Sequence, residues 1–191
     1  MGEEGTLTQV LSDLPRGQAT TLGRLLAATG CRTHGVAILL LSIPEALPLP
    51  VPSAGAILGG PLILISAHLA VFGETESLPV RLRDRVLPGW LTDWLRDRVA
   101  PVLARAERLS RPRWSGLVRR ERLLGIVCLY LASLLLLPLP FFNTPPALCL
   151  VLLAWGLVQR DGWSIGAGLA GTVALTVALV SLADWVRTMF A

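Results

Sequence analysis

One carboxylate stands inside a long apolar stretch. From Thr33 to Gly73 the sole formal charge is Glu45, one place after Pro44. An ionised side chain at bilayer depth costs ~2.5–3.5 kcal/mol or more, so such groups face a cavity or a partner. There Glu45 would attract a cationic solute or hold a coupling proton; at the surface it would merely be hydrated, and the sequence leaves both readings open. Ser53 follows in the same stretch, and Asn143 and Thr144 occupy a matching break in a second one. Helices restarting at Ala54 and Pro146 would aim their N-terminal amides at a shared cavity, where anionic groups are favoured. The polar side chains at those breaks either contact a ligand or cap the helices. His68, further along the first stretch, is a proton-exchanging group or a satisfied packing residue. Arg160 and Asp161 close the second stretch, as a gate or as a turn with a local ion pair.

These residues do not assemble into an enzyme. Neither Gly-x-Ser-x-Gly nor His-Glu-x-x-His occurs, and phosphate-binding loops are absent. Two histidines and scattered acids do not make a metal cluster, so the expectation is no catalytic residue, no metal and no cofactor. Gly166, Gly168 and Gly171 spell Gly-x-Gly-x-x-Gly, but no strand precedes them and they sit in an apolar helical run. Close helix packing is the reading that fits them. Cys31, Cys128 and Cys149 are odd in number and lack ligand spacing, so they read as small buried hydrophobes.

The elements that must position these residues are membrane elements. Hydrophobic residues make up 53% of the 191, mean hydropathy is +0.63, and 16% are charged, against an apolar share of about 45–50% in soluble domains. Residues 123–159 and 162–183 carry no formal charge at all. Each such run exceeds the ~18–20 residues of a membrane span. All 17 basic residues are arginine, and twelve lie between Arg81 and Arg122. With no recognition motif beside them, they fit a linker held on the cytoplasmic side near anionic lipid rather than a nucleic-acid surface.

The prolines divide the apolar stretches. Residues 33–73 are interrupted by Pro44, Pro48, Pro50 and Pro52, four prolines in nine positions that together cannot continue a helix. Two helices result, roughly 34–47 and 54–72, the first short for a crossing. Shifting the chain by 90 residues places Leu47-Pro-Leu-Pro50 on Leu137-Pro-Leu-Pro140 and Gly35 on Gly125, with nine identities over positions 35–68. Paired Pro-broken apolar segments mark the working site of transporter-like folds, and Pro48, Pro50, Pro138 and Pro140 would shape it. The expected fold is therefore an all-α membrane protein. It has N-terminal cytoplasmic amphipathic helices (1–32), a first re-entrant hairpin repeat (33–73) and an Arg-rich amphipathic interfacial linker (74–122). A second repeat (123–161) and a C-terminal transmembrane helix (162–191) complete it. In the linker, Trp90, Trp94, Leu95, Val102, Leu103 and Ala106 form the apolar side. Trp163 and Trp185 anchor the last helix, whose small-residue pairs, Gly166 with Ala170 and Ala167 with Gly171, suit a homodimer or the chain's own repeats.

The chain resembles the ExoD family, bacterial inner-membrane proteins named for a role in exopolysaccharide synthesis. The resemblance runs from about Thr21 to Thr188. It rests on Pro44-Glu-Ala-Leu-Pro-Leu-Pro-Val-Pro52, Gly60-Pro-Leu, Arg111-Pro-Arg113, Leu137-Pro-Leu-Pro140 with Asn143 and Pro146, and Arg160-Asp-Gly162. It implies a multi-pass inner-membrane location and a link to exopolysaccharide physiology, and it transfers no catalytic residue set. The functional expectation is a small-solute transporter or channel-like protein, cationic or proton-linked, with membrane lipids and a second copy as partners. Lipid or lipid-linked sugar handling, and a non-transporting role beside the synthesis machinery, are the alternatives.

Overall fold

The computed structural model describes residues 7–13, 20–28, 33–46, 54–75, 78–84, 86–87, 89–109, 120–136 and 143–190. The chain is mostly helical. Helices α1 (Leu7–Ser12), α2 (Leu22–Ala28) and α3 (Thr33–Ala46) precede the first break, and α4 (Ala54–Phe72) follows it. The linker holds α5 (Val80–Arg83), α6 (Gly89–Trp94), a π-helical turn (Leu95–Val99) and α7 (Ala100–Leu109). Then come α8 (Glu121–Leu135), α9 (Thr144–Gln159) and α10 (Gly162–Phe190). Two short strands, β1 (Thr20–Thr21) and β2 (Val86–Leu87), pair antiparallel, Thr20 opposite Leu87. That pairing has no counterpart in the helical periodicity, because two residues are too few to show alternation.

Helices α3, α4, α8 and α9 form the centre, with α3 packed on α9 and α4 on α8. One set of polar bonds fixes their ends. The α4 helix stops where Gly73 takes a left-handed φ of 73°, the usual glycine exit from a helix. The next residue, Glu74, then accepts the backbone N–H groups of His34 and Gly35 at the start of α3. Its own N–H donates to Glu121 at the start of α8, at 3.0 Å. Gly35 also lies against Leu157 and Val158 near the end of α9. Both hairpins therefore begin and finish at one end of the bundle, while the ends leading into the two proline breaks lie at the other. There a Cβ on Gly59 would meet Leu136 at 3.4 Å.

Length separates these four helices from the last. At 1.5 Å per residue, α3 with 14 residues and α8 with 15 reach only ~21–22 Å, below the ~30 Å hydrocarbon thickness. Among the described residues one helix, Gly162–Met189, is long and apolar enough to cross a membrane, and 17% of its apolar window is buried. Its first turns pack on α9: a Cβ on Gly168 would meet Leu153 at 2.8 Å, and one on Gly171 would meet Cys149 Sγ at 2.9 Å. The glycine run thus serves close packing within the chain. Gly166 meets nothing within 4 Å, so one member of that run remains open. Beyond it Val173, Val177, Val180, Leu182, Trp185 and Met189 are all exposed. Cys128 and Cys149 are free and buried.

The N-terminal helices and the linker form a cap at the end where the hairpins begin. Leu11, Leu22, Leu25 and Leu26 share a buried cluster with Leu82, Leu87, Leu95, Val99 and Leu103, and Thr8 N–H reaches Glu107 across it at 3.4 Å. The apolar stripe of the linker is thereby covered by the chain's own α1 at Leu95 and Leu103, with Trp94 half-buried. Val102, expected on the same stripe, is 61% exposed. The π-helical turn just before it adds a residue to the helical period, which rotates everything downstream relative to a regular helix.

Candidate functional site

Glu45 lies in the last turn of α3 and is buried. Its carboxyl lies close enough to the side chain of Asn143, the residue that precedes α9, to feel its amide. The last turn of α3 and the start of α9, remote in sequence, thus bring one acid and one amide together. Glu45 Oε1 is buried and has no hydrogen-bond partner among the described residues. Asn143 makes no capping bond with its side chain. The helix starts instead from its carbonyl, which accepts Ala147 N–H at 3.1 Å. Pro145 and Pro146 fill the first turn, where a missing N–H costs nothing. Asn143 is thus free of the capping role and stands beside Glu45. Thr144 is half-buried beside it as the first residue of α9. Ser53, Pro48, Pro50, Pro138 and Pro140 lie outside the described residues.

His68 is not part of this group. It lies near the opposite end of the bundle, half-buried in α4, with its Nδ1 2.8 Å from Nε2 of His34. His34 is fully buried, and its Nδ1 is 3.1 Å from Glu74 Oε2. Glu74 Oε2 also accepts His34 N–H at 3.0 Å, and its Oε1 accepts Gly35 N–H at 2.7 Å. The two imidazole planes are within 14° of each other with centroids 5.0 Å apart, and Phe72 covers His68 at 4.6 Å. Three N–H donors at the start of α3 surround one carboxylate. Since residues 34 and 45 stand eleven places apart on one helix, the two polar groups are separated by ~16 Å along α3.

Arg160 and Asp161 occupy the turn between α9 and α10. Arg160 takes a left-handed φ of 55°. Asp161 accepts the N–H of Trp163 at 3.0 Å and the hydroxyl of Ser164 at 3.3 Å, which is the behaviour of a helix-capping acid. Sequence reasoning named Glu45, Asn143 and His68 but passed over His34 and Glu74. They flank the apolar run on either side and read as its boundaries. A usable signal existed: an antiparallel hairpin pairs positions equidistant from its break, and His34 and His68 are each 17 residues from residue 51, in the proline strip.

No solved structure matches the chain. Among known proteins it is similar to an uncharacterized protein of Synechocystis, 28% identical over 96% of this chain and 97% of that one. It is also 31% identical to Protein ExoD of Rhizobium meliloti, over 90% of this chain and 73% of the relative. The family model for ExoD, described as exopolysaccharide synthesis, matches residues 4–181. With nearly the whole chain under that model and one C-terminal helix long and apolar enough to cross a membrane, this is a membrane-associated member of the ExoD family, the family of exopolysaccharide synthesis.

Proposed function

We propose that the chain is a small-solute transporter or channel-like protein of the inner membrane, taking a cationic or proton-linked solute in support of exopolysaccharide synthesis. The observation that carries this reading is the buried Glu45 Oε1, unpartnered among the described residues beside Asn143. A buried polar atom without a partner marks a place where a further donor belongs. An N–H of a cationic solute, or a proton, supplies that donor. The Asn143 amide beside the acid offers such a solute a second polar contact.

Two broken hairpins related as parallel repeats would provide the frame. Gly35 and Gly125, equivalent under the 90-residue shift, each press against the second helix of the other hairpin. Gly35 meets Leu157 and Val158 of α9, and Gly125 meets Leu69 and Ala70 of α4. The outward faces are apolar, with Leu64, Val71, Phe72, Leu123, Ile126, Leu148 and Leu152 exposed, which suits lipid around the hairpins. The arginine-bearing cap would lie on the cytoplasmic side.

The test is uptake by proteoliposomes, with polyamines and cationic amino acids offered under an imposed pH gradient. Glu45→Gln keeps the shape and removes the charge. Losing one partner of a buried charged pair costs on the order of 2–5 kcal/mol, at least a roughly thirtyfold loss of affinity. Equal affinity in wild type and Glu45→Gln removes Glu45 from the site. Lipid scrambling without solute uptake would support a lipid-handling role instead, and co-purification with synthesis proteins without either would support a partner role.

A further inference from the structure

We propose that His68, His34 and Glu74 form a proton relay at the cap end of the bundle, a second functional site ~16 Å along α3 from Glu45. The proposal deepens the transport reading and rests on it for its purpose, though not for its chemistry.

The geometry allows few alternatives. In a hydrogen bond between two imidazole nitrogens one must carry the proton and the other must not. With His34 Nδ1–H donating to the Glu74 carboxylate at 3.1 Å, a neutral His34 has a bare Nε2. The 2.8 Å contact to His68 is then His68 Nδ1–H donating to that Nε2. A proton taken up on Nε2 of His68 makes that ring cationic without breaking any of these bonds. Transfer of the Nδ1 proton of His68 to His34 Nε2 moves the charge inward, leaving His68 neutral in its other tautomer. Transfer of the Nδ1 proton of His34 to Glu74 completes the passage, with both imidazoles neutral and the carboxyl protonated. One proton enters at His68 and one resides on Glu74 at the end, so charge and atoms balance with no other reactant. Ring rotation or return of the proton resets the array.

Burial sorts the members into an order. His68 is half-buried, His34 is 0% exposed, and the Glu74 side chain is 7% exposed. Loading therefore falls to His68, and His34 can exchange protons only with its two neighbours. Among the described residues, the acids bonded into the array are Glu74 itself and Glu121, whose Oε2 accepts the Glu74 N–H at 3.0 Å. On the α9 side Leu157 and Val158 lie against Gly35, next to the array. A cation on either ring thus meets acids alone among these neighbours. The bonded residues belong to the ends of α3, α4 and α8, so occupancy of the relay is felt where both hairpins enter the cap.

The chain has two histidines, so histidine labelled with nitrogen-15 reports on this pair without background. The full-length protein in detergent is titrated while the ring nitrogens are followed by magnetic resonance. The expected result is a through-bond coupling between one nitrogen of each ring, and signals of both rings moving together over one pH interval. Absence of the coupling, or two rings titrating over separate intervals, overturns the relay. In His68→Gln, which keeps a donor and an acceptor at the position, the His34 signals should change their pH response; an unchanged response also overturns it. Should His68→Gln not fold, the wild-type coupling alone decides. Coupled rings in a protein whose proteoliposomes show no uptake would uphold the relay and refute transport, while uptake with uncoupled rings would do the reverse.

Discussion

Replacing Glu74 by alanine tests the bond network that gathers the hairpin ends. The carboxylate accepts two backbone amides, His34 at 3.0 Å and Gly35 at 2.7 Å, and faces the His34 imidazole at 3.1 Å. Each buried donor left without a partner costs ~1–3 kcal/mol, so the two amides alone account for ~2–6 kcal/mol. An anion at a partly buried helix start adds up to ~2 kcal/mol. Water admitted by the smaller side chain recovers a portion, leaving an expected loss of about 3–6 kcal/mol. For a chain of this size 1 kcal/mol shifts the thermal midpoint by ~2–4 °C, which places Glu74→Ala roughly 6–24 °C below wild type. Glu74→Gln keeps one accepting oxygen and turns an amide NH2, itself a donor, toward the other donors, so it should fall between the two. Glu121→Ala removes a single acceptor, that of Glu74 N–H, and should cost about 1 kcal/mol. Unfolding followed by tryptophan fluorescence at fixed detergent concentration gives all four midpoints. A Glu74→Ala midpoint within about 2 °C of wild type would refute the assignment of Glu74 as the clamp on α3.

Two glycine pairs extend this to packing and assembly. A Cβ on Gly125 would stand 2.7 Å from Ala70 Cα, a backbone contact that cannot yield, so Gly125→Ala should lose about 1–3 kcal/mol through overpacking. Gly60 meets nothing within 4 Å, and Gly60→Ala should hold or gain up to about 1 kcal/mol in the same assay. Gly166 is likewise open whereas Gly168 is filled by Leu153. Gly166→Ile should therefore leave the monomer midpoint unchanged and shift a mass measurement in mild detergent from dimer to monomer, and unaltered mass would remove Gly166 from any seam.

The hairpins were legible because their signals are local. Charge-free length and clustered proline act over a few residues, and the helices observed at Thr33–Ala46 and Ala54–Phe72 fall within a residue of those read from the prolines. The polar groups that meet are another matter. Glu45 advertised itself as a lone charge, but its partner Asn143 lies 98 positions away, and only the packing of α3 on α9 joins them. His34 and Glu74 were silent for the opposite reason, since a polar residue at the margin of an apolar run is what any run must end with. The linker shows the same limit in apolar form. Periodicity revealed a stripe at Trp94, Leu95 and Leu103, yet a stripe states only that something covers it; here α1 does, and lipid is not required at those positions. Pattern thus locates elements and their wet and dry faces, whereas chemistry in this chain arises where two faces from distant segments are brought together. That is why the hairpin mirror about residue 51 is informative. It converts a local signal, the break, into a pairing rule, and that rule places His34 beside His68 before any coordinates are consulted.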